Sequence, residues 1–277
     1  MLSVSAICQN MQMGTTTALW KDPSVTGFME AKSNGIEYVE VALNQCYRNV
    51  PEEDVLPKIY ALKSKIDSAG LKVWSIHLPF SKTLDISVLD DKDREKNVRF
   101  IAGMIQTSAI FNPSKLVLHS SSEPIADSVR EQRIQNAISS IGILRKYADE
   151  IGVQLCIENL PRTCLGNTPE ELLRIVGDYP EVGICFDTNH YLTGTPAHFA
   201  QLAGHRIGTL HISDYDGINE SHWIPGDGNI PWMELIGIIK EKGYKGIYMY
   251  EALKRKNGER ATATQLAESF EIINRDK

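Results

Sequence analysis

Six short apolar runs in this 277-residue chain each stop on a residue that can hold a metal ion or move a proton. In order they are Val73 to His77, Leu116 to His119, Leu155 to Glu158, Gly183 to Asp187, Ile207 to His211 and Ile247 to Glu251. Histidine and the carboxylates coordinate divalent cations and act as general acids and bases, so this recurrence describes a site. Glu158, Asp187, His211 and Glu251 would bring together three carboxylates and one imidazole. That donor set suits Mn²⁺, Co²⁺, Mg²⁺ or Zn²⁺ without choosing among them. An ion so held polarises a hydroxyl and the neighbouring carbonyl oxygen of a substrate and acidifies the carbon between them, which is isomerase or epimerase chemistry.

Further candidates surround the four. His77 and His119 end the two preceding runs, His190 follows Asp187 in Phe186-Asp187-Thr188-Asn189-His190, and Glu220 and His222 precede the turn-rich stretch Trp223-Ile224-Pro225-Gly226-Asp227-Gly228. These five are expected to bind substrate or a second metal. Taken singly, a His or Glu at a strand end is more often a hydrogen-bonding or solvated group, and Glu40 and Asp214 are read that way. His198 and His205 read as surface residues, Trp74 and Trp232 as core or loop anchors, and Trp223 as a candidate wall of a sugar pocket.

The runs themselves have the form of strands buried on both faces of a parallel sheet: four or five mostly apolar, β-branched or aromatic residues between turn signals. Two earlier strands are expected at Leu2 to Ile7 and Gly35 to Ala42, with a helix from about Ser24 to Ser33 between them. Helices are expected over Pro51 to Ala69, with Val55, Ile59, Leu62 and Ile66 on one face, over about Asp91 to Ile110, and over Ile125 to Ile151. Others follow at Thr168 to Val176, Pro196 to Ala203, Pro231 to about Gly243, and Thr262 to Ile273. Alternation of strand and helix eight times allows an open doubly wound sheet or a closed barrel. No Gly-rich phosphate loop follows the first strand, and only in a barrel do the ends of six different strands converge at one mouth. The expected fold is therefore α/β, a (β/α)8 TIM barrel, as a single domain over residues 1–277.

Composition agrees. A 42% hydrophobic chain of this length buries a large core. The net charge of −6 argues against nucleic-acid and membrane partners. Five scattered cysteines, Cys8, Cys46, Cys156, Cys164 and Cys185, lack metal or redox spacing and fit a reducing, cytoplasmic setting. The start of the chain, Met1 to Cys8, has neither a basic segment nor a long apolar core, so no signal peptide or membrane anchor is expected. The sequence leaves a homo-oligomer open.

Four stretches resemble the xylose isomerase-like TIM barrels: Cys156-Ile157-Glu158-Asn159, Phe186 to His190, Leu210-His211-Ile212-Ser213-Asp214, and Pro225-Gly226-Asp227-Gly228-Asn229-Ile230. That superfamily includes sugar-phosphate isomerases, ketose 3-epimerases, inosose dehydratases and endonuclease IV type enzymes. The resemblance implies that Glu158, Asp187, His211 and Glu251 bind one catalytic metal and that the substrate is a sugar or polyol. It further implies that Glu158 and Glu251 shuttle a proton on opposite faces of the substrate through a metal-stabilised enediolate, while His190 contacts substrate oxygens. The epimerases typically carry an arginine in the loop after the seventh strand, and Ser213 to His222 contains none. Resemblance to the endonucleases implies instead a zinc phosphodiesterase on abasic DNA. Its three ions would fall on His77, His119 and Glu158, on the four-residue set, and on His190, Glu220 and His222. The same residues are compatible with an inosose dehydratase-like lyase, and the fold with a barrel that binds a sugar or metal without catalysis.

Overall fold

β-branched and aliphatic runs alternating with amphipathic helices leave each strand covered on its outer face, so pairing must be parallel and side by side. The computed structural model describes residues 11–274. Its strands are β1 (Met13–Thr16), β2 (Tyr38–Ala42), β3 (Lys72–His77), β4 (Lys115–His119), β5 (Gln154–Glu158), β6 (Gly183–Asp187), β7 (Ile207–His211) and β8 (Tyr248–Tyr250). They pair in the order β7-β6-β5-β4-β3-β2-β1-β8. Ile212, just beyond β7, bridges Tyr250 of β8 and brings the ring nearly to closure. There the Ile212 N–H donates to the Met249 carbonyl at 2.7 Å and the Glu251 N–H to the Ile212 carbonyl at 3.0 Å. The chain thus forms a (β/α)8 barrel whose strand ends share one mouth.

The covering helices are α1 (Val25–Ser33), α2 (Asn44–Tyr47), α3 (Glu52–Ser68), α4 (Asp91–Ser108), α5 (Asp127–Glu150), α6 (Pro169–Val176), α7 (Pro196–Ala203), α8 (Trp232–Glu241) and α9 (Ala263–Ile273). On α3 the expected apolar face, Val55, Ile59, Leu62 and Ile66, is buried. Helix start signals in the sequence act as caps in the structure. Thr168 Oγ1 accepts from the Glu171 N–H at 3.2 Å ahead of Pro169, and Thr262 forms a reciprocal capping box with Gln265. Phe186 of β6 lies flat on Phe199 of α7, with ring centroids 4.8 Å apart and planes 4° apart. Such a pair adds roughly 0.5–1.5 kcal/mol beyond its area burial and holds the outer layer against the strand that carries Asp187.

Three expectations shift. The strand occupying the first place in the barrel is Met13–Thr16, whereas Leu2 to Ile7 lies outside the described residues. Met13-Gly14-Thr15-Thr16 has no apolar run, but its residues are buried, and a Cβ at Gly14 would meet Met249 Cε at 2.6 Å. The eighth strand ends at Tyr250, so Glu251 is the first residue of the following connection. Pro51 is the N-cap residue of α3 rather than part of its first turn.

Candidate metal and active site

Parallel register aligns the strand ends. His119 pairs across the sheet with Glu158, and Asp187 with His211. Asp187 and His211 are fully buried, Glu158 and His77 nearly so, because each points into the closing end of the barrel. The mouth above them holds a cavity of about 290 Å³ lined by His77, His119, Glu158, His190, His222 and Glu251, among others.

His211 stands at the centre. Its Nδ1 is 3.1 Å from Glu158 Oε1, 3.1 Å from Glu251 Oε2 and 3.9 Å from Asp187 Oδ2. One ligand atom each from Glu158, Asp187, His211 and Glu251 can be chosen so that all four lie within 4.8 Å of one another. Two further sets of ligand type meet the same limit: His77, His119 and Glu158, and His190, Glu220 and His222. All nine candidate residues therefore converge on one mouth.

The inner four fit a divalent cation on the structure's own terms. Buried polar atoms are almost always hydrogen-bonded, yet Asp187 Oδ2 and Glu158 Oε2 have no hydrogen bond. Glu158 Oε2 is 3.0 Å from His119 Nε2 and 3.2 Å from His77 Nε2, but without hydrogen-bond geometry. Asp187 Oδ1, by contrast, accepts from the Asn189 N–H at 2.7 Å, leaving Oδ2 aimed into the set. Burial raises the carboxyl of Asp187 to about 7, the nearby charges of Glu251 and Glu158 adding to it and those of His190 and His222 opposing it. Burial also pushes Glu158 up, but His211 and His119 outweigh it and hold that carboxyl well below the usual range. His77 loses charge stability to burial and regains more from Glu158 and Glu40, which raise it to about 9. A cluster of this kind holds its carboxylates together only with compensating positive charge, and a metal ion is the compact form of it.

The family model of the xylose isomerase-like TIM barrel matches residues 28–274. The chain belongs to that family. Within it, the chain is 31% identical over 210 residues to the uncharacterized protein MJ1311 of Methanocaldococcus jannaschii, a match covering 72% of this chain and 70% of that protein. It is 32% identical over 141 residues to the fructoselysine 3-epimerase of Escherichia coli O157:H7, covering 47% of this chain and 50% of the epimerase. Among solved structures, a D-tagatose 3-epimerase-like protein superposes with a TM-score of 0.77 at 26% identity, over 95% of this chain and 98% of that one.

Against this xylose isomerase-like frame, several neighbours of the site are not evident from sequence. Glu40 of β2, which reads there as hydrogen-bonding or solvated, is fully buried, with both oxygens 3.0 Å from His211 Nε2. Ser75 donates to its Oε2 at 2.7 Å. Asn159 ties the ends of β5 and β6 together, donating to the Asp187 carbonyl at 2.9 Å and accepting from its N–H at 2.7 Å. Asn189 accepts from the Ser221 N–H at 2.7 Å and so positions the connection carrying Glu220 and His222. Asn159 and Asn189 lie inside the motif stretches, a usable signal; Glu40 is visible only as a lone acid in an apolar strand.

The aromatic wall differs from expectation. Trp223 is absent from the cavity lining, and Lys256 lies over its ring. Phe80 takes that place, stacked on His119 with centroids 4.1 Å apart. Trp232 is core, its Nε1–H donating to Asp214 at 2.9 Å, while Trp74 donates to Thr209 at 3.0 Å. His198 and His205 are exposed. Among the described residues no helix is long and apolar enough to cross a membrane.

Proposed function

We propose that this chain is a divalent-metal-dependent sugar epimerase or isomerase. The carrying observation is that the carboxylates of Glu158 and Glu251, from opposite ends of the second half of the barrel, both lie 3.1 Å from His211 Nδ1 at the floor of the mouth cavity. Similarity to a fructoselysine 3-epimerase and to a D-tagatose 3-epimerase-like protein supports a ketose-type substrate.

Glu158, Asp187, His211 and Glu251 would hold the cation, and Mn²⁺, Co²⁺, Mg²⁺ and Zn²⁺ all suit three oxygens and one nitrogen. The chemistry a bound divalent cation supplies is polarisation of the substrate's carbonyl and adjacent hydroxyl oxygens, which acidifies the C–H between them. Glu158 and Glu251 take and return the proton on opposite faces of that carbon, each having a second oxygen to do so. His190, whose Nδ1 donates to the Asn159 carbonyl at 2.9 Å, keeps Nε2 directed toward the outer cavity to orient substrate oxygens. Phe80, stacked on His119, gives the cavity an apolar wall beside these groups. The same proton removal would serve an inosose dehydratase-like lyase if a hydroxyl departs from the next carbon.

A panel of ketoses and inososes incubated in deuterium oxide with Mn²⁺ or Zn²⁺ tests this. Deuterium should enter beside the carbonyl of one of them, and Glu158→Gln and Glu251→Gln should each slow that exchange by about 10²–10⁴-fold. Near-normal exchange in both variants rejects the acid/base pair.

One observation favours a second reading, a zinc phosphodiesterase on abasic DNA: the two three-residue sets flanking the inner four. Cleavage of an abasic duplex that stops with a chelator would establish it. The acidic chain and a stretch without Arg or Lys from His211 to Lys240 weigh on the other side.

A further inference from the structure

The three candidate ligand atoms of the outer set, His190, Glu220 and His222, lie within 4.8 Å of one another, and the resemblance to the endonucleases would put a zinc there. The oxygens of Glu220 are already committed. Oε1 is 3.1 Å from His222 Nε2 and 3.6 Å from His190 Nε2, while Oε2 accepts from Arg162 Nη1 at 2.6 Å. Glu220 and His222 are partly exposed and open to water, in contrast to the buried and unpartnered Glu158 Oε2 and Asp187 Oδ2 of the inner set. A dication in the outer set would sit beside a guanidinium, which is always charged, so these residues do not fit a third metal.

We propose that Arg162 occupies the role of a third cation and turns the outer set into a hydrogen-bonding wall for neutral substrate hydroxyls. Arg162 lies in the connection after β5 with φ of 55°, a left-handed conformation uncommon for a residue other than glycine. Its carbonyl accepts from Asn167 Nδ2 at 2.5 Å, which fixes that turn. Its guanidinium spans the mouth between two connections. Nε donates to Glu123 Oε1 at 2.8 Å, Nη2 lies 2.7 Å from the same oxygen, and Nη1 reaches Glu220. Of the five guanidinium N–H groups these contacts use about three, leaving one on each terminal nitrogen for the cavity that Arg162 lines.

Two carboxylates already balance the guanidinium, so a phosphate at this wall would face Glu123 and Glu220, whereas hydroxyl oxygens accept from the free N–H groups without that repulsion. The connection after β7 carries no Arg or Lys between His211 and Lys240, so the guanidinium that reaches its Glu220 comes from the connection after β5, and Glu220 in turn contacts His222. The substrate half of this inference rests on the epimerase reading; the metal half does not.

The test uses the full-length protein, stripped of metal and dialysed against buffered excess Zn²⁺. Wild type and Glu220→Gln should hold equal zinc. Arg162→Met and Arg162→Gln should each take up about one more zinc per chain, lost again when His222→Ala is added. With a ketose that turns over, Arg162→Met should raise KM on the order of tenfold with kcat little changed, the signature of lost binding that is uniform along the reaction. Arg162→Lys should not restore it, because an ammonium lacks the planar fork that spans both carboxylates. A wild type that loses about one zinc on Glu220→Gln, or arginine variants that gain none, overturns the proposal. If no ketose reacts, the epimerase reading fails while the zinc count still decides the role of Arg162.

Discussion

His211 Nε2 lies 3.0 Å from both carboxylate oxygens of Glu40, a residue 171 positions earlier on the far side of the barrel interior. Because Nδ1 faces Glu158, Asp187 and Glu251, a cation on Nδ1 leaves the proton on Nε2, where Glu40 accepts it. With a cation on Nδ1, Glu40 would fix the ring orientation and tautomer of His211 and raise the basicity of the nitrogen facing that cation. Glu40→Gln should weaken zinc or manganese binding by about 10–100-fold without unfolding the chain. Competition against a chromophoric chelator measures it, and an unchanged dissociation constant would mean that Glu40 is only a packing group.

The strand ends are legible because a buried parallel strand must be apolar along its length, so a terminal His, Asp or Glu stands out. Asp187 and His211 end their strands at the residues the runs indicate. The opposite holds for β1, whose Gly14, Thr15 and Thr16 carry no hydrophobic signature because the first strand is narrowed by Met249 of β8. Glu40 is illegible for a related reason: one acid within Tyr38-Val39-Glu40-Val41-Ala42 reads as the solvent face of a half-exposed strand, and only ring closure puts it opposite His211. Arg162 is visible as a residue, but its partners Glu123 and Glu220 come from two other connections, a pairing that no local pattern encodes.

Asp214 organises the connection after β7. Fully buried, it accepts from the N–H groups of Tyr215 at 2.9 Å, Gly226 at 2.8 Å and Ile230 at 3.2 Å, and from Trp232 Nε1 at 2.9 Å. A Cβ at Gly228 would come within 2.3 Å of its Oδ1, so this wrap requires glycine there. Asp214→Ala strands four donors and should cost about 3–5 kcal/mol in denaturant unfolding. It should also raise KM by loosening His222, whose Nδ1 is held 3.1 Å from the Glu251 carbonyl. A variant of wild-type stability would show that the connection is held by its apolar residues instead.

The thiols should be silent in the folded protein. Burial pushes Cys46 up to about 11 and Cys156 and Cys164 up to about 12, and raises Cys185 well above its ordinary value. A thiolate forms only as pH rises through these values, so near pH 8 almost none is present. In a Cys8→Ser background, a charged thiol reagent at pH 8 should label none of the four until denaturant is added. Labelling of any of them at the rate of a free thiol would place it at an opening segment.

Barrel closure depends on small residues where β6 and β7 pass β5. A Cβ at Gly208 would lie 2.7 Å from Cys156 Sγ and 2.9 Å from Gln154 Oε1, closer than carbon and sulfur approach without displacement. Cys156 cannot yield, since it is fully buried against Val117 and Cys185, whereas the Gln154 amide is the end of a flexible side chain near the barrel base. Gly208→Ala should therefore cost about 1–3 kcal/mol of stability through overpacking. Cys156→Ala alone should also destabilise by leaving a void. Together the two changes remove the clash and fill the void, so the double variant should be more stable than the sum of the single effects by about 0.5–3 kcal/mol. Denaturant midpoints of the four proteins, read with a common slope, give this coupling directly. Additive effects would place the strain at the Gln154 amide rather than at Cys156.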